Sequence, residues 1–383
     1  MPLLNKSHVI CPECPNGCNI SLLPDDEGAL IIEGNKCEKG LHFIRKAADK
    51  EGIKRKVISK SKLSRYSTSF LKEIAASFNI DLKEIHPRYD MGGSPERTVF
   101  RIVIEDMNSK LFILEEIPYS SIKKKQNIAL TLDFLDKEGL PYINPFLKTA
   151  VKKHIFEHKN SFWQTEPFIA GAKLDREKYV FDGWRAEFLS GFLVKLKAKS
   201  KSIPHLDKNE VFSITEYILK LKGQIKINNP AIVPMIEPII SFLEEGFFAA
   251  HENLPVALCH GDYHPMNIIW SEKGIKAVID WEFHGFKPEI YDLANLIGCL
   301  GVENPKSLTG KLVMLLIGRI RSENLYSDIS LNLLVEFILA IRFAWLSEWL
   351  RKEDAQMVSL EIDYMNLLMD NRKYFIEAWG ISG

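Results

Sequence analysis

The chain has 383 residues, enough for two or three domains, with 50 basic and 50 acidic side chains and no formal net charge. That balance gives no global attraction to nucleic acid or to an anionic membrane surface, and a hydrophobic share of 46% is that of an ordinary globular protein. The first eight residues lack the apolar core of a secretory signal, and the apolar run at 331–346 is interrupted by Glu336 and Arg342. A cytoplasmic protein without a membrane span is therefore expected.

The N-terminus opens on cysteine. Cys11, Cys14 and Cys18 follow a Cys-x-x-Cys-x-x-x-Cys spacing, and Cys37 returns within Gly-Asn-Lys-Cys-Glu-Lys-Gly. In a cytosolic chain, four thiols so spaced favour a metal over disulfides. Pro12 and Pro15 stiffen the ligand loop, while Gly17 and Gly34 permit tight turns. Four thiolates suit tetrahedral Zn2+ or an iron–sulfur cluster. Residues 8 to 46 resemble the cluster-binding segment of molybdopterin oxidoreductases. They resemble more closely a small family of four-cysteine proteins of unknown function. The oxidoreductase-like spacing implies a [4Fe–4S] cluster; a zinc staple holding a domain too small for its own core fits the same residues. The rest of the chain leaves no room for a molybdopterin domain. Residues 1–46 are read as this module, with a surface on which a protein partner can dock. Cys259 and Cys299, in apolar surroundings, read as ordinary buried thiols.

Residues 47–66 carry Lys50, Lys54, Arg55, Lys56, Lys60, Lys62 and Arg65 and read as a basic, solvated linker. A helix follows to about Asn79, with a cap at Ser67, Thr68 or Ser69 and an apolar stripe of Phe70, Leu71, Ile74 and Phe78. Residues 99–105 alternate as a strand, 110–117 form its partner, and 106–109 are the turn. A helix over 127–138 stops at Gly139-Leu140-Pro141. Residues 162–171 read as an aromatic-rich strand with a following turn, 181–196 as a helix, and 197–255 as further helices broken at Pro204, Pro230 and Pro234.

The next stretch carries the chemistry. Cys-His-Gly-Asp-Tyr-His-Pro-Met-Asn begins at Cys259, Ala-Val-Ile-Asp-Trp-Glu ends at Glu282, and Tyr-Asp-Leu-Ala-Asn ends at Asn295. Phosphoryl transfer asks for a group that orients the nucleophile and for metal ions that screen the phosphates. Asp262 can accept a hydroxyl proton; Asn267 and Asp280 offer the hard oxygens that Mg2+ prefers. His260 reads as a residue that orders the loop, not as a base. His264 is assigned a structural part as well.

This block resembles the catalytic segment of the aminoglycoside phosphotransferase and choline kinase superfamily, small-molecule kinases with a protein-kinase-like fold. The pattern is His-x-Gly-Asp, four residues, Asn, then a strand ending Ile-Asp-Trp/Phe-Glu. His260, Gly261, Asp262, His264, Asn267, Ile279, Asp280, Trp281 and Glu282 match it, as do Pro288, Tyr291, Asp292, Leu293 and Ala294 of the segment after it. The resemblance implies ATP and Mg2+ as cofactors, a small-molecule hydroxyl as acceptor, Asp262 as catalytic residue, and Asn267 and Asp280 as Mg2+ ligands. It implies that Asp292 braces the large lobe through the catalytic loop. Gly92, Gly93 and Ser94 stand where the family has a glycine-rich phosphate loop, although a plain tight turn fits two glycines as well. Residues 162–171 resemble the family's hinge, with Gln164 and Phe168 at the nucleotide. A core strand fits these residues equally.

One position departs from the pattern. The family has Val-Leu-Lys on a small-lobe strand, its lysine gripping the α- and β-phosphates; this chain has Ile113-Leu114-Glu115. Counting back from Gly139 puts Ile128, Ala129 and Leu130 where a partner glutamate would stand, so both halves of an ion pair are read as absent. Arg97, Arg101 or Lys110 is the candidate replacement cation. Near the C-terminus, Trp345, Glu348 and Trp349 on one helix suggest core packing or a site for an ammonium group.

The expected architecture is α+β: the four-cysteine module (1–46), the linker (47–66), and a bilobal kinase-like domain (67–383) with a β-rich N-lobe at about 67–163 and a mostly helical C-lobe at about 172–383. The expected activity is transfer of the γ-phosphate of ATP to a hydroxyl of a small metabolite. The alternative, motivated by Glu115, is a catalytically weak nucleotide-binding module that works with the metal site as a redox sensor or docking protein. Nothing specific indicates nucleic acid or membrane.

Overall fold

The computed structural model describes residues 8–12, 18–24, 30–33, 38–50, 57–59, 65–87, 89, 97–176 and 178–381. The chain divides into two compact units, residues 1–126 with 145–168, and residues 127–144 with 169–383.

The first unit holds two sheets among its described residues. The N-terminal one comprises β1 (His8–Ile10), β2 (Asn19–Pro24), β3 (Leu30–Glu33) and β4 (Val57–Ser59), in that spatial order. β1 to β3 run antiparallel; β4 returns parallel to β3 after helix α1 (Glu38–Lys50), the crossover that a parallel pair requires. Alternate strand residues Val9, Ile20, Leu22, Leu30 and Ile32 pack with Leu41, Ile44 and Ala48, one stripe of α1. Within the expected linker at 47–66, the described residues 47–50 close α1 and residues 57–59 pair with β3.

The second sheet follows α2 (Thr68–Ser77), whose first turn is capped by Ser67 accepting from the Phe70 N–H at 3.2 Å. Its strands are β5 (Leu82–His86), β6 (Phe100–Asp106), β7 (Leu111–Ile117), β8 (Phe156–His158) and β9 (Ser161–Pro167), ordered β5-β6-β7-β9-β8 and antiparallel throughout. The β6–β7 turn is set by Asp106, whose Oδ1 accepts from the N–H groups of Asn108 and Lys110 at 2.9 and 2.8 Å. Phe100, Ile102, Ile104, Leu114 and Trp163 bury one face against Leu71, Ile74 and Ala75 of α2. Register places Arg101 opposite Glu115, and Glu115 opposite Gln164, a polar row across three strands on the other face.

Helix α3 (Ile122–Lys137) begins five residues before the expected start. Lys123, Lys124 and Lys125 crowd its first turn, the positive end of the helix dipole, which is why the sequence pattern points to a later start. It ends as expected at Gly139, whose φ of +78° suits a glycine C-cap.

The second unit is mainly helical. Helix α4 (Arg185–Lys199) starts four residues later than the expected 181, after a 3-10 turn at Tyr179–Phe181. Then come α5 (Ile214–Asn228), α6 (Val233–Glu244), α7 (Phe247–His251), the strands β10 (Val256–Cys259), β11 (Ile268–Ser271), β12 (Gly274–Val278) and β13 (Gly285–Pro288), and α8 (Tyr291–Glu303). β10 pairs with β13 and β11 with β12. The C-terminal helices are α9 (Lys311–Ser322), α10 (Asp328–Asn332), α11 (Leu334–Arg351), α12 (Ala355–Asp370) and α13 (Arg372–Ala378). Residues 291–301 of α8 are all buried, and α11 packs on α8 and α12. No helix among the described residues is long and apolar enough to cross a membrane.

Candidate active site

The loop between β10 and β11 carries Asp262. Its backbone is held from below by Asp292 in the first turn of α8. The Asp292 Oδ2 and Oδ1 accept from the N–H groups of His260 (2.7 Å) and Gly261 (2.8 Å). Burial pushes the Asp292 carboxyl up to about 6, with the two N–H donors and Lys287 pulling the other way. Gly261 has φ +82°, and a Cβ there would lie 2.0 Å from the Phe283 carbonyl oxygen, so the turn admits only glycine.

His260 is fully buried. Its Nδ1 accepts from the Asp262 N–H (3.2 Å), so Nε2 carries the proton and donates to the Ile279 carbonyl (3.0 Å). Burial pushes its pKa down to about 4, in keeping with a neutral ring that ties the loop to the strand end before Asp280. Tyr263 anchors the loop from below, stacking on Phe192 at 5.3 Å and donating to the Leu189 carbonyl of α4.

The Asp262 carboxylate has three neighbours. Asn267 Nδ2 donates to Oδ2 at 2.9 Å, while His264 Nε2 and Asn295 Nδ2 lie 3.5 Å from Oδ1. Burial raises its pKa, but His264, His260 and Asn267 outweigh it and hold the carboxyl below the usual range, ionised and ready to accept a proton. Asn267 gives both amide hydrogens to Asp262, the second to its carbonyl at 3.0 Å, which leaves the amide oxygen as its free ligand atom. The Ile279 N–H donates to the Asn267 carbonyl at 2.9 Å, which brings the next residue, Asp280, beside Asn267 in the fold. Asp280 adopts the left-handed conformation, φ +63°, at a cost of about 1–2 kcal/mol, and starts the 3-10 turn Trp281–Phe283. An amide oxygen and a carboxylate are hard donors of the kind that Mg2+ prefers.

Trp345 of α11 meets the His264 ring edge-on at 5.9 Å and stacks on Trp349 at 6.3 Å. The ammonium site suggested by the sequence is not formed by Glu348. That carboxylate binds Arg351 (2.8 Å) and Lys352 (2.9 Å), and Lys352 Nζ already covers Trp349 at 4.8 Å.

In the first unit, Glu115 is buried and both its oxygens are engaged. Oε1 accepts from Thr98 (2.6 Å) and Arg101 (2.5 Å); Oε2 accepts from Gln164 (2.5 Å) and faces Lys125 Nζ at 3.6 Å. Burial raises its pKa, yet Lys125, Arg101 and Thr98 together hold it below the usual range. The strand lysine and the helix glutamate of the family pattern are missing; in their place Glu115 on the strand faces Lys125 on the helix, three residues before the region where a partner was sought. Of the candidate cations, Arg101 does reach Glu115.

The Gln164 side chain is tied to Glu115, and Phe168 is half-buried, with its N–H on the Leu111 carbonyl and its ring edge-on to Tyr89 at 4.7 Å. Gly92, Gly93 and Ser94 lie outside the described residues. Cys11 and Cys18 are buried, and the Cys11 N–H donates to the Cys18 carbonyl at 2.8 Å; Cys14 and Cys37 lie outside the described residues. Sequence reasoning missed Lys125, Thr98 and Asn295. For Asn295 a signal existed, since three positions after Asp292 it shares a helix face with the residue that clamps the loop.

Residues 229–311 match the phosphotransferase enzyme family (APH). No curated protein matches the chain. Among solved structures, the chain is similar to amicoumacin kinase in complex with AMP-PNP, Ca2+ and Ami: 15% identity, 82% of this chain and 96% of that one covered, TM-score 0.59. It is similar to an aminoglycoside phosphotransferase from Alicyclobacillus acidocaldarius, with 11% identity, 83% and 97% coverage and a TM-score of 0.55. It is also similar to spectinomycin phosphotransferase in complex with ADP and spectinomycin, with 17% identity, 82% and 99% coverage and a TM-score of 0.54. The chain thus has the α+β fold of these kinases, and the block around Asp262 falls inside the matched family segment.

Proposed function

We propose that this protein is an ATP-dependent phosphotransferase that moves the γ-phosphate of ATP to a hydroxyl of a small molecule. The observation that carries this reading is the state of Asp262. It is an ionised carboxylate held by Asn267, with His264 and Asn295 beside it, on a loop whose backbone is clamped by Asp292. Such a group orients an acceptor hydroxyl and takes its proton. As it does so, the hydroxyl oxygen forms its bond to the γ-phosphorus and the bond to the leaving ADP oxygen breaks. Asn267 and Asp280 would hold Mg2+, which when bound screens the phosphate charge. Amicoumacin kinase, in complex with AMP-PNP, Ca2+ and Ami, and spectinomycin phosphotransferase, in complex with ADP and spectinomycin, support a small-molecule acceptor beside a nucleotide.

The N-terminal module is read as a four-thiolate Zn2+ or [4Fe–4S] site on Cys11, Cys14, Cys18 and Cys37, offering a surface to a protein partner. The two described cysteines of the module are buried and backbone-bonded to each other, which is compatible with convergent ligands. The weak-kinase alternative was motivated by Glu115 standing where the family has its phosphate-gripping lysine; Arg101 and Lys125 beside it offset the charge of that carboxylate.

The test is transfer of labelled γ-phosphate from ATP into a pool of small metabolites. A labelled product is expected from the wild-type protein and none from Asp262→Asn. Folded wild-type protein that labels nothing, or a variant that labels equally, would sink the reading.

A further inference from the structure

Asp280 stands in the left-handed region, where a residue with a side chain stays only if its surroundings hold it. Residues 127–144 hold it from both sides. Before Asp280, the Val278 N–H donates to the Tyr142 carbonyl at 2.6 Å, and Tyr142 is itself left-handed, with φ +64°. After Asp280, His284 Nε2 lies 2.9 Å from Oγ1 of Thr131, a fully buried residue of α3. His284 closes the turn that Asp280 starts: its N–H donates to the Trp281 carbonyl at 3.1 Å, and its Nδ1 reaches the same oxygen at 2.7 Å. A carbonyl only accepts, so Nδ1 carries a proton. In the neutral ring, Nε2 is then left to accept the Thr131 O–H. The same hydroxyl lies 2.8 Å from His205 Nε2. With a single hydrogen, it serves both rings by donating to one and accepting from the other. Valine has the shape of threonine, so filling space would not call for this hydroxyl; two histidines from separate segments converge on it.

We propose that Thr131, with His205 and His284, is a positioning residue for Asp280: it fixes the turn so that the carboxylate is set to take a divalent cation together with Asn267. This rests on the phosphotransferase reading.

The test is the equilibrium affinity of the full chain for ATP, measured with excess Mg2+ and again with EDTA. In the wild-type protein Mg2+ is expected to tighten ATP binding. Thr131→Val is expected to cut that enhancement about 3- to 10-fold, the range of one lost hydrogen bond, with the affinity in EDTA held within about 2-fold. Thr131→Ser, which keeps the hydroxyl, should restore it. His284→Asn keeps a donor for the Trp281 carbonyl and offers nothing to Thr131; it should show the same loss, and the double variant Thr131→Val, His284→Asn no more than either single one. A hydroxyl that only satisfies the core predicts lower stability in urea with the Mg2+ enhancement intact. That result, or losses that add in the double variant, overturns the proposal and leaves the phosphotransferase reading standing. Wild-type protein whose ATP affinity is indifferent to Mg2+ overturns both. Should Thr131→Val fail to fold, His284→Asn decides alone, a wild-type enhancement overturning the proposal.

Discussion

Replacing Arg342 by methionine would expose how the helical unit is held together. Arg342 on α11 and Glu361 on α12 are each 1% exposed. Arg342 Nε donates to Glu361 Oε2 at 2.8 Å and Nη2 donates to Oε1, a two-pronged pair, and Nη1 lies 3.9 Å from Cys299 Sγ. With the guanidinium gone, the Glu361 carboxylate keeps one described donor, the Trp349 indole N–H at 3.1 Å. A buried charge so stranded costs about 3–5 kcal/mol. Set against the roughly 5–15 kcal/mol by which domains are stable, that is a large share. Urea unfolding followed by helical circular dichroism, at matched slope, reads the loss directly. The double variant Arg342→Met, Glu361→Met has no stranded charge and should regain most of the lost stability. A single variant within about 1 kcal/mol of wild type, or a double variant no better than the single, would refute the reasoning.

Two further outcomes concern the catalytic loop. Gly261→Ala forces a Cβ to within 2.0 Å of the Phe283 carbonyl at φ +82°, and the displaced loop should lower phosphate transfer by about 100-fold or more, read as kcat at saturating ATP. Burial pushes the Asp292 carboxyl up to about 6, and protonating one of its oxygens weakens that oxygen as acceptor for the His260 or Gly261 N–H. The kcat profile should therefore fall as pH drops through about 6, a limb absent from Asp292→Asn; a fall centred near 4 would contradict the assignment. The linkage has the opposite sign for stability. The folded pKa lies above the unfolded one, so this group's contribution is present at low pH and is lost as pH rises through 6.

Local pattern carried much of the molecule. The β6–β7 hairpin followed from alternation around an Asp-Met-Asn-Ser turn, and the Asp262 loop was legible because its groups lie within a few dozen residues of one another. Lys125 was hidden because three successive lysines argue against a helix start, and because its partnership with Glu115 is a tertiary fact. Arg342 and Glu361, on different helices, leave no periodic trace. The short N-terminal strands β1, β3 and β4 escaped notice for a simpler reason: three or four residues are too few to display a period.

The parallel return of β4 has a practical consequence for anyone dissecting the protein. A fragment cut after residue 46, where the cysteine motif ends, would stop inside α1 and discard β4, baring the outer backbone edge of β3. Bare edges recruit other strands, so such a fragment invites self-association that has nothing to do with its thiols. The shortest excision that keeps this sheet whole ends at Ser59.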